Sequence, residues 1–286
     1  MTIRKGIYLV LLFTGICSVA RAQYYYQDII SPENTMKEQR QYRDNKIAGI
    51  QIKSYDDNNE LNRNFHCIEE FYDDFKKAIT RTGSFETGSS VVYSYFDDRG
   101  RILHSTDSTA QSVNDTYYYY DTKQPQQIDS LRFISYSIQN SDTFRYSESH
   151  IYQYDSTGKP LKMIRLKNDS PFSIVSFTTD SSGRVVKESE KGRYDAIPAV
   201  YYKYNSLGQP TDIFHFYEDK QKKVPDFLFD YDPQNRLSEK MSVTMNRKSY
   251  LLWKFFYGDS GLIDKEACYG PKHALLGTLK FEYIYR

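Results

Sequence analysis

One motif returns along most of the chain and limits what the chain can fold into. It consists of an aromatic residue, an Asp or Asn, two variable residues, a Gly and a polar residue. Aligned on the position before the Asp, the copies stand at Tyr55, Phe96, Tyr120, Tyr154, Thr179, Tyr204, Tyr231 and Tyr257. Successive spacings are 41, 24, 34, 25, 25, 27 and 26 residues. A self-similar period in the twenties marks an array of like structural units.

Each unit reads as a β-hairpin. Ahead of the turn, apolar and aromatic residues alternate, as in Val200-x-Tyr202-x-Tyr204 and Trp253-x-Phe255-x-Tyr257. A period of two puts them on one face of a strand. Asp97, Asp121, Asp155, Asp180, Asn205 or Asp232 follows, and such a side chain can accept from the backbone two residues on and start a tight turn. Three residues later stands Gly100, Gly158, Gly183, Gly208 or Gly261, where a left-handed residue ends a common hairpin loop. Asn59 and Asn235 fill the same slot, Asn being tolerant of that conformation. Two copies break the pattern: Gln124 precedes Pro125, and Gly258 takes the Asp position in the last copy. An apolar residue then reopens the strand at Leu61, Ile102, Val185, Leu237 and Ile263. The 28 Tyr and 17 Phe suit half-buried pleated surfaces.

The segments "YQYDSTGKPL", "YKYNSLGQP", "SYFDDRGRIL" and "TTDSSGRVV" resemble the YD repeats of the RHS family, whose core pattern is Tyr-Asp-x-x-Gly-Arg-hydrophobic. The resemblance runs unit by unit over residues 48–286. It implies antiparallel strands in a long, coiled sheet. Large members of that family form a hollow shell around a toxic C-terminal domain and release it by self-cleavage. Here one strand-like run, Leu279-x-Phe281-x-Tyr283-x-Tyr285, follows the last copy, with no toxin domain or cleavage motif.

The N-terminus is of another kind. Arg4 and Lys5 precede an apolar run from Gly6 to Val19, and Ala20-Arg21-Ala22 closes it. That is the layout of a secretory signal peptide, with cleavage expected after Ala22 and a periplasmic or secreted product. Its 14 apolar residues fall short of the roughly 20 that span a bilayer as a helix. A lipid on Cys17 is disfavoured by the bulky Ile16 before it. No later run is long enough to be a transmembrane segment. Without residues 1–22 the chain holds 35 Lys and Arg against 37 Asp and Glu, a balance that argues against the basic stripe of a nucleic-acid binder, and no nucleic-acid partner is expected.

Residues 23–47 are polar, and Ser31-Pro32-Glu33 reads as a helix start, giving a short N-terminal helical cap to about Asp44. Residues 60–90 carry two signals. Phe65, Ile68, Tyr72, Phe75 and Ile79 have helical spacing, while Tyr72-Asp73-Asp74-Phe75-Lys76 reads as a worn repeat turn. Hairpin strands are preferred there. The long unit between Tyr120 and Tyr154 is expected to have a polar tip near Asn140-Ser141-Asp142.

Chemistry-bearing residues are sparse. Cys67 and Cys268, in the first and last units, either pair if the array curls round or stay separate packed thiols. His66-Cys67 and Cys268…His273 lack the local spacing of a zinc site. Asp56-Asp57-Asn58-Asn59-Glu60 reads as a solvated turn and not a calcium loop. His104, His150 and His215 fall at unrelated phases of the repeat, and no G-x-S-x-G elbow is present.

The expectation is therefore an all-β chain: residues 1–22 a signal peptide, 23–47 a polar cap, and 48–286 tandem antiparallel hairpin repeats in a long twisted or coiled sheet. It is expected to need no cofactor or metal and to be no enzyme. Its role would be a binding or structural module of the bacterial envelope, with an envelope protein or a glycan as partner. The alternatives are a carbohydrate-binding protein using exposed Tyr rows, a partner or immunity protein of an RHS-type toxin, and, less favoured, a secreted hydrolase.

Overall fold

The computed structural model describes residues 24–84, 88–139, 142–192, 198–217, 221–243 and 249–286. The signal-peptide segment and the hairpin tip at Asn140 and Ser141 lie outside them. One helix, α1 (Gln27–Asp44), precedes eighteen strands among the described residues. The first nine are β1 (Ile47–Tyr55), β2 (His66–Tyr72), β3 (Lys77–Ser84), β4 (Gly88–Phe96), β5 (Ile102–Thr109), β6 (Ser112–Tyr120), β7 (Ile128–Gln139), β8 (Asp142–Tyr154) and β9 (Pro160–Lys167). The rest are β10 (Ser170–Thr179), β11 (Val185–Gly192), β12 (Val200–Tyr204), β13 (Pro210–Tyr217), β14 (Lys222–Tyr231), β15 (Leu237–Val243), β16 (Tyr250–Tyr257), β17 (Ile263–Tyr269) and β18 (Leu275–Tyr285).

Each strand pairs antiparallel with the next, and β18 pairs back onto β1 from Ile47↔Tyr285 to Tyr55↔Thr278. The sheet is thus a closed up-and-down barrel, which corrects the long twisted or coiled sheet expected from the repeat. Closure removes the two free edges that an open array would expose. The final run, Leu279 to Tyr285, supplies the partner that β1 would otherwise lack.

The turns at residues 97–100, 155–158, 180–183, 205–208, 232–235 and 258–261 lie at one end of the barrel, here called the turn end. Asp73-Asp74-Phe75, between β2 and β3, shares it. The turn after Tyr55 does not: three strands separate Tyr55 from Phe96, and an odd number of strands carries that copy to the opposite end. Residues 66–84 form the β2–β3 hairpin and not a helix.

The turn geometry explains why the motif residues occur together. Asp97 Oδ1 accepts from the amides of Arg99 and Arg101, both at 2.9 Å, and Asp155, Asp180, Asn205 and Asp232 repeat this arrangement. Arg101, Arg184 and Arg236 fork back onto the Asp four residues earlier. Each guanidinium also covers the ring of the next unit's Tyr, at 4.5 Å over Tyr120, 5.0 Å over Tyr204 and 4.3 Å over Tyr257. The Tyr hydroxyls tie one hairpin to the one before. Tyr120 donates to Ile102 O, Tyr154 to Ile128 O, Tyr204 to Val185 O, Tyr231 to Pro210 O, Tyr257 to Leu237 O and Tyr283 to Ile263 O, at 2.6–2.9 Å. Tyr204→Phe, which removes one such tie, is expected to cost about 1 kcal/mol. Thermal unfolding of the variant measures it.

Gly208 sits at φ +82°, and Asn59 and Asn235 occupy the same region at 61° and 64°. Ala at position 208 is therefore expected to destabilise by about 1–2 kcal/mol, since its Cβ meets the following carbonyl there. Asn at 208 should cost far less. Equal urea midpoints for the two variants would contradict this account of the turn.

The interior holds two apolar clusters. One gathers Ile50, Ile52, Cys67, Phe71, Trp253, Cys268 and Leu279 from β1, β2 and β16–β18. The other gathers Leu131, Tyr152, Met163, Val175, Val185 and Ile213 from β7–β13. Outward positions carry cross-strand ion pairs: Lys53–Glu282, Lys223–Asp212 and Lys254–Glu239 at 2.6 Å, and Arg81–Glu70. Lys77, Lys187, Lys254, Lys265 and Lys280 lie over outward aromatic rings. A lipid-facing barrel needs an apolar outer band about 25 Å tall, which this charge pattern interrupts. Among the described residues, no helix is long and apolar enough to cross a membrane.

Candidate functional site

Helix α1 joins the two apolar clusters. Its 18 residues span about 27 Å. Tyr25 lies in one cluster and Tyr42 packs on the other, 5.3 Å from the Phe71 ring. Gln41 Nε2 donates to Gly261 O at 3.0 Å and Arg43 to Asp74 O at 3.2 Å, so the helix crosses the turn end. Pro32 and Gln39 are buried, while Ser31, Asn34, Lys37 and Arg40 face water. Rather than capping the end of an array, the helix plugs the barrel. It also begins at Gln27, ahead of the expected start, and takes Pro32 into its interior.

That early start has a tertiary cause. Glu188 on β11 accepts from the amides of Tyr25 (3.2 Å) and Tyr26 (3.0 Å), groups that no residue nearby in sequence satisfies. Next to it lies a dense set of ionisable groups on the inner wall. His150 on β8 is fully buried, with Nδ1 2.6 Å from Asp28 Oδ2 and Nε2 2.8 Å from Glu148 Oε1. Asp28 also accepts from the Tyr152 hydroxyl at 2.8 Å. Arg165 Nε donates to Glu148 Oε1 at 2.5 Å, and its Nη1 to Glu190 Oε1 at 3.2 Å. Glu190 accepts further from Tyr25 OH (2.9 Å) and Ser173 OH (2.5 Å), and the Tyr146 hydroxyl donates to Glu148.

Burial alone would lower the His150 pKa. The facing carboxylates of Asp28 and Glu148 outweigh it and raise the pKa to about 9. Two carboxylates on the two ring nitrogens fit the imidazolium, which has two donors. Burial works to raise Glu148 as well, yet hydrogen bonds from His150, Arg165 and Tyr146 hold it far below the usual carboxylate range. Glu188 goes the other way: burial prevails over its two amide donors and pushes it up to about 8.

A histidine between two carboxylates beside an arginine has the composition of an acid–base site. Its geometry is that of a clasp. The side chains of Glu148, His150, Arg165 and Glu190 are 8, 0, 12 and 7% exposed, and each is satisfied by the wall or by the helix. Beside the helix, a crevice lined by Pro32, Met36, Arg101 and Ile128 has room for about 10 Å³, one water at most.

The residues singled out in the sequence are scattered. Cys67 and Cys268 are free and buried on the same inner face, but β1 and β18 lie between their strands. His104 stands on the outer wall, stacked between Tyr95 and Tyr117 at 5.7 and 4.3 Å and 3.1 Å from Asp115 Oδ1. His215 pairs with Asp226 at 2.6 Å. Asp56 Oδ1 accepts from the amides of Asn58 and Glu60, as in the other turns. Among the described residues no three His, Cys, Asp or Glu side chains gather as metal ligands. The clasp itself was missed as a group. Glu148, His150 and Tyr152 alternate in phase with Tyr154, the one available sign that they face inward.

No protein-family model matches the chain, and no curated protein matches its sequence. Among solved structures, the chain is similar to one described as TcdB2-TccC3-Cdc42, with 13% identity over 77% of this chain and a TM-score of 0.36. It spans only 12% of that chain's length. A porin-like protein from Bacteroides uniformis is similar at 9% identity and a TM-score of 0.31, with 83% of this chain and 98% of that one covered. Another from Bacteroides vulgatus is similar at 11% identity and a TM-score of 0.22. At these scores the likenesses carry no argument about function. The chain is accordingly characterised by its own architecture, a closed eighteen-stranded antiparallel barrel plugged by one helix.

Proposed function

We propose that this protein is an exported, non-catalytic module of the bacterial envelope that binds a partner or supports structure through the outside of its barrel. The observation that supports the reading is the clasp: His150, its two carboxylates and Arg165, a dense ionisable cluster on the inner wall, are spent on the protein's own helix and wall and not left open to a substrate. The paired, water-facing outer wall agrees with a partner that meets the barrel from outside, and the basic start and apolar run before Ala22 agree with export. The repeat tyrosines are poor candidates for a sugar platform, because Tyr120, Tyr154, Tyr204, Tyr231, Tyr257 and Tyr283 spend their hydroxyls on the neighbouring hairpin.

The test is cross-linking in intact cells, followed by fractionation and mass spectrometry of what is recovered. A dominant envelope protein or polysaccharide is the expected result. Recovery in the cytoplasmic fraction would refute export. Hydrolysis of envelope polymers by the purified protein, lost in Glu148→Gln, would refute the non-catalytic reading.

A further inference from the structure

The β7–β8 hairpin is longer than its neighbours, with strands of 12 and 13 residues. On its β9 side the ladder stops at Glu148↔Lys167. Asn168 closes it: its side-chain Oδ1 accepts from the Ser147 amide at 2.9 Å, and its own amide donates to Ser147 O at 2.8 Å. Among the described residues, β8 is paired from Asp142 to Tyr146 with β7 alone. The N–H and C=O of one strand residue point to the same side, and sides alternate along an antiparallel pair. Since Ser147 points to the β9 side, Arg145 and Thr143 present their backbone groups to an edge that no described strand pairs. The hairpin is also apolar and exposed on both faces, with Tyr136 (36%) and Ile138 (57%) outward and Phe144 (55%) and Tyr146 (39%) inward.

We propose that this edge pairs antiparallel with the same edge of a second copy of the chain, in the register centred on Phe144. In that register Thr143 lies opposite Arg145 of the other copy, and Arg145 opposite its Thr143. Both pairs are of the hydrogen-bonded kind, so all four donors and four acceptors on the two vacant edges are used. Phe144 meets its counterpart across the two-fold axis at a non-hydrogen-bonded position, where side chains come closest. The two Arg145 side chains are a diagonal step apart, about 7–8 Å, and not directly opposed.

Shifting the centre to Arg145 would oppose the two arginines and bring Thr143 against Ser147, whose backbone Asn168 already satisfies. The self-pairing is isologous and closes after two copies, leaving no edge to propagate. The pairing engages the backbone of two residues per copy, far fewer than the roughly 20–30 residues a side of a standard stable interface. The dimer is therefore weak and concentration-dependent.

Phe144→Cys tests the register, because cysteines at a non-hydrogen-bonded pair on the axis reach disulfide geometry. Under mild oxidation it is expected to give a covalent dimer. Arg145→Cys, whose counterparts are offset, is expected to give little. Thr143→Pro removes an edge donor while leaving the β7 ladder intact, and edge strands tolerate Pro. Sedimentation equilibrium should show self-association of the unmodified protein weakened at least about tenfold in Thr143→Pro, with an unchanged melting temperature at dilution. A chain that stays monomeric up to about 1 mM, the weak end of the affinity scale, overturns the proposal. So does equal cross-linking at positions 144 and 145, or association that Thr143→Pro leaves untouched.

Discussion

His150→Ala is expected to lower the free energy of unfolding by roughly 3–5 kcal/mol, the usual result of removing one partner from a buried charged pair. The substitution leaves Asp28 and Glu148 without the imidazole that lies 2.6 and 2.8 Å from them, and opens a void in a position that is fully buried. The loss should be felt at the helix first, because Asp28 is the point where α1 is tied to β8. Hydrogen exchange is expected to accelerate across residues 27–44 in the variant more than across β1 or β18. Asp28→Ala combined with His150→Ala should cost clearly less than the sum of the single changes, since the two share one contact. Strictly additive losses in chemical denaturation would show that the pair does not couple helix to wall.

Stability is expected to peak in acidic solution, at about pH 4.5, and to fall as the pH rises towards 9. The sign follows from three groups of residues. The folded-state pKa of His150 is raised to about 9 from an ordinary 6.5, so its contribution is fully present below pH 6.5 and is lost as the pH passes 9. For a shift of that size the loss is about 3 kcal/mol.

Glu188 at about 8, and Glu69 and Glu266 at about 7, are raised by burial. The unfolded chain releases these protons near pH 4.5 while the folded chain holds them, so stability declines from there up to pH 7–8. On the acid side the order reverses. Asp155, which accepts from the Thr157 hydroxyl, and Asp180, held by Arg184, are lowered, so their contribution disappears as the pH falls through their folded values. Glu148 acts in the same direction. Urea denaturation from pH 3 to 9.5 measures the profile, and a maximum at pH 8 or above would contradict it. In His150→Ala the decline between pH 6.5 and 9 should shrink.

Much of the local structure was legible because its causes lie within ten residues. Alternation in Val200-x-Tyr202-x-Tyr204 sets a strand face, and Asn205 with Gly208 sets the turn that follows, whatever the rest of the chain does. The same alternation, counted back from Tyr154, places Glu148 and His150 inward. Their partner was not legible: Asp28 lies 122 residues from His150. The helix start failed for a like reason, since the group that holds the amides of Tyr25 and Tyr26 is Glu188, on a distant strand. The copy at Tyr55 shows the limit of the motif itself. It keeps the motif, with Asn59 in the Gly slot, yet it stands at the other end of the barrel because an extra strand separates it from the next.

By itself, then, the sequence determined strands, turns and the inward rows of side chains, all of which follow from backbone geometry and short-range hydrogen bonds. Only the tertiary structure decided that the array closes, that Cys67 and Cys268 end on one inner face with β1 and β18 between them, and that the N-terminal helix becomes a plug. Closure joins Ile47 to Tyr285 through the accumulated twist and curvature of eighteen strands, a sum to which every unit contributes and which no single unit records.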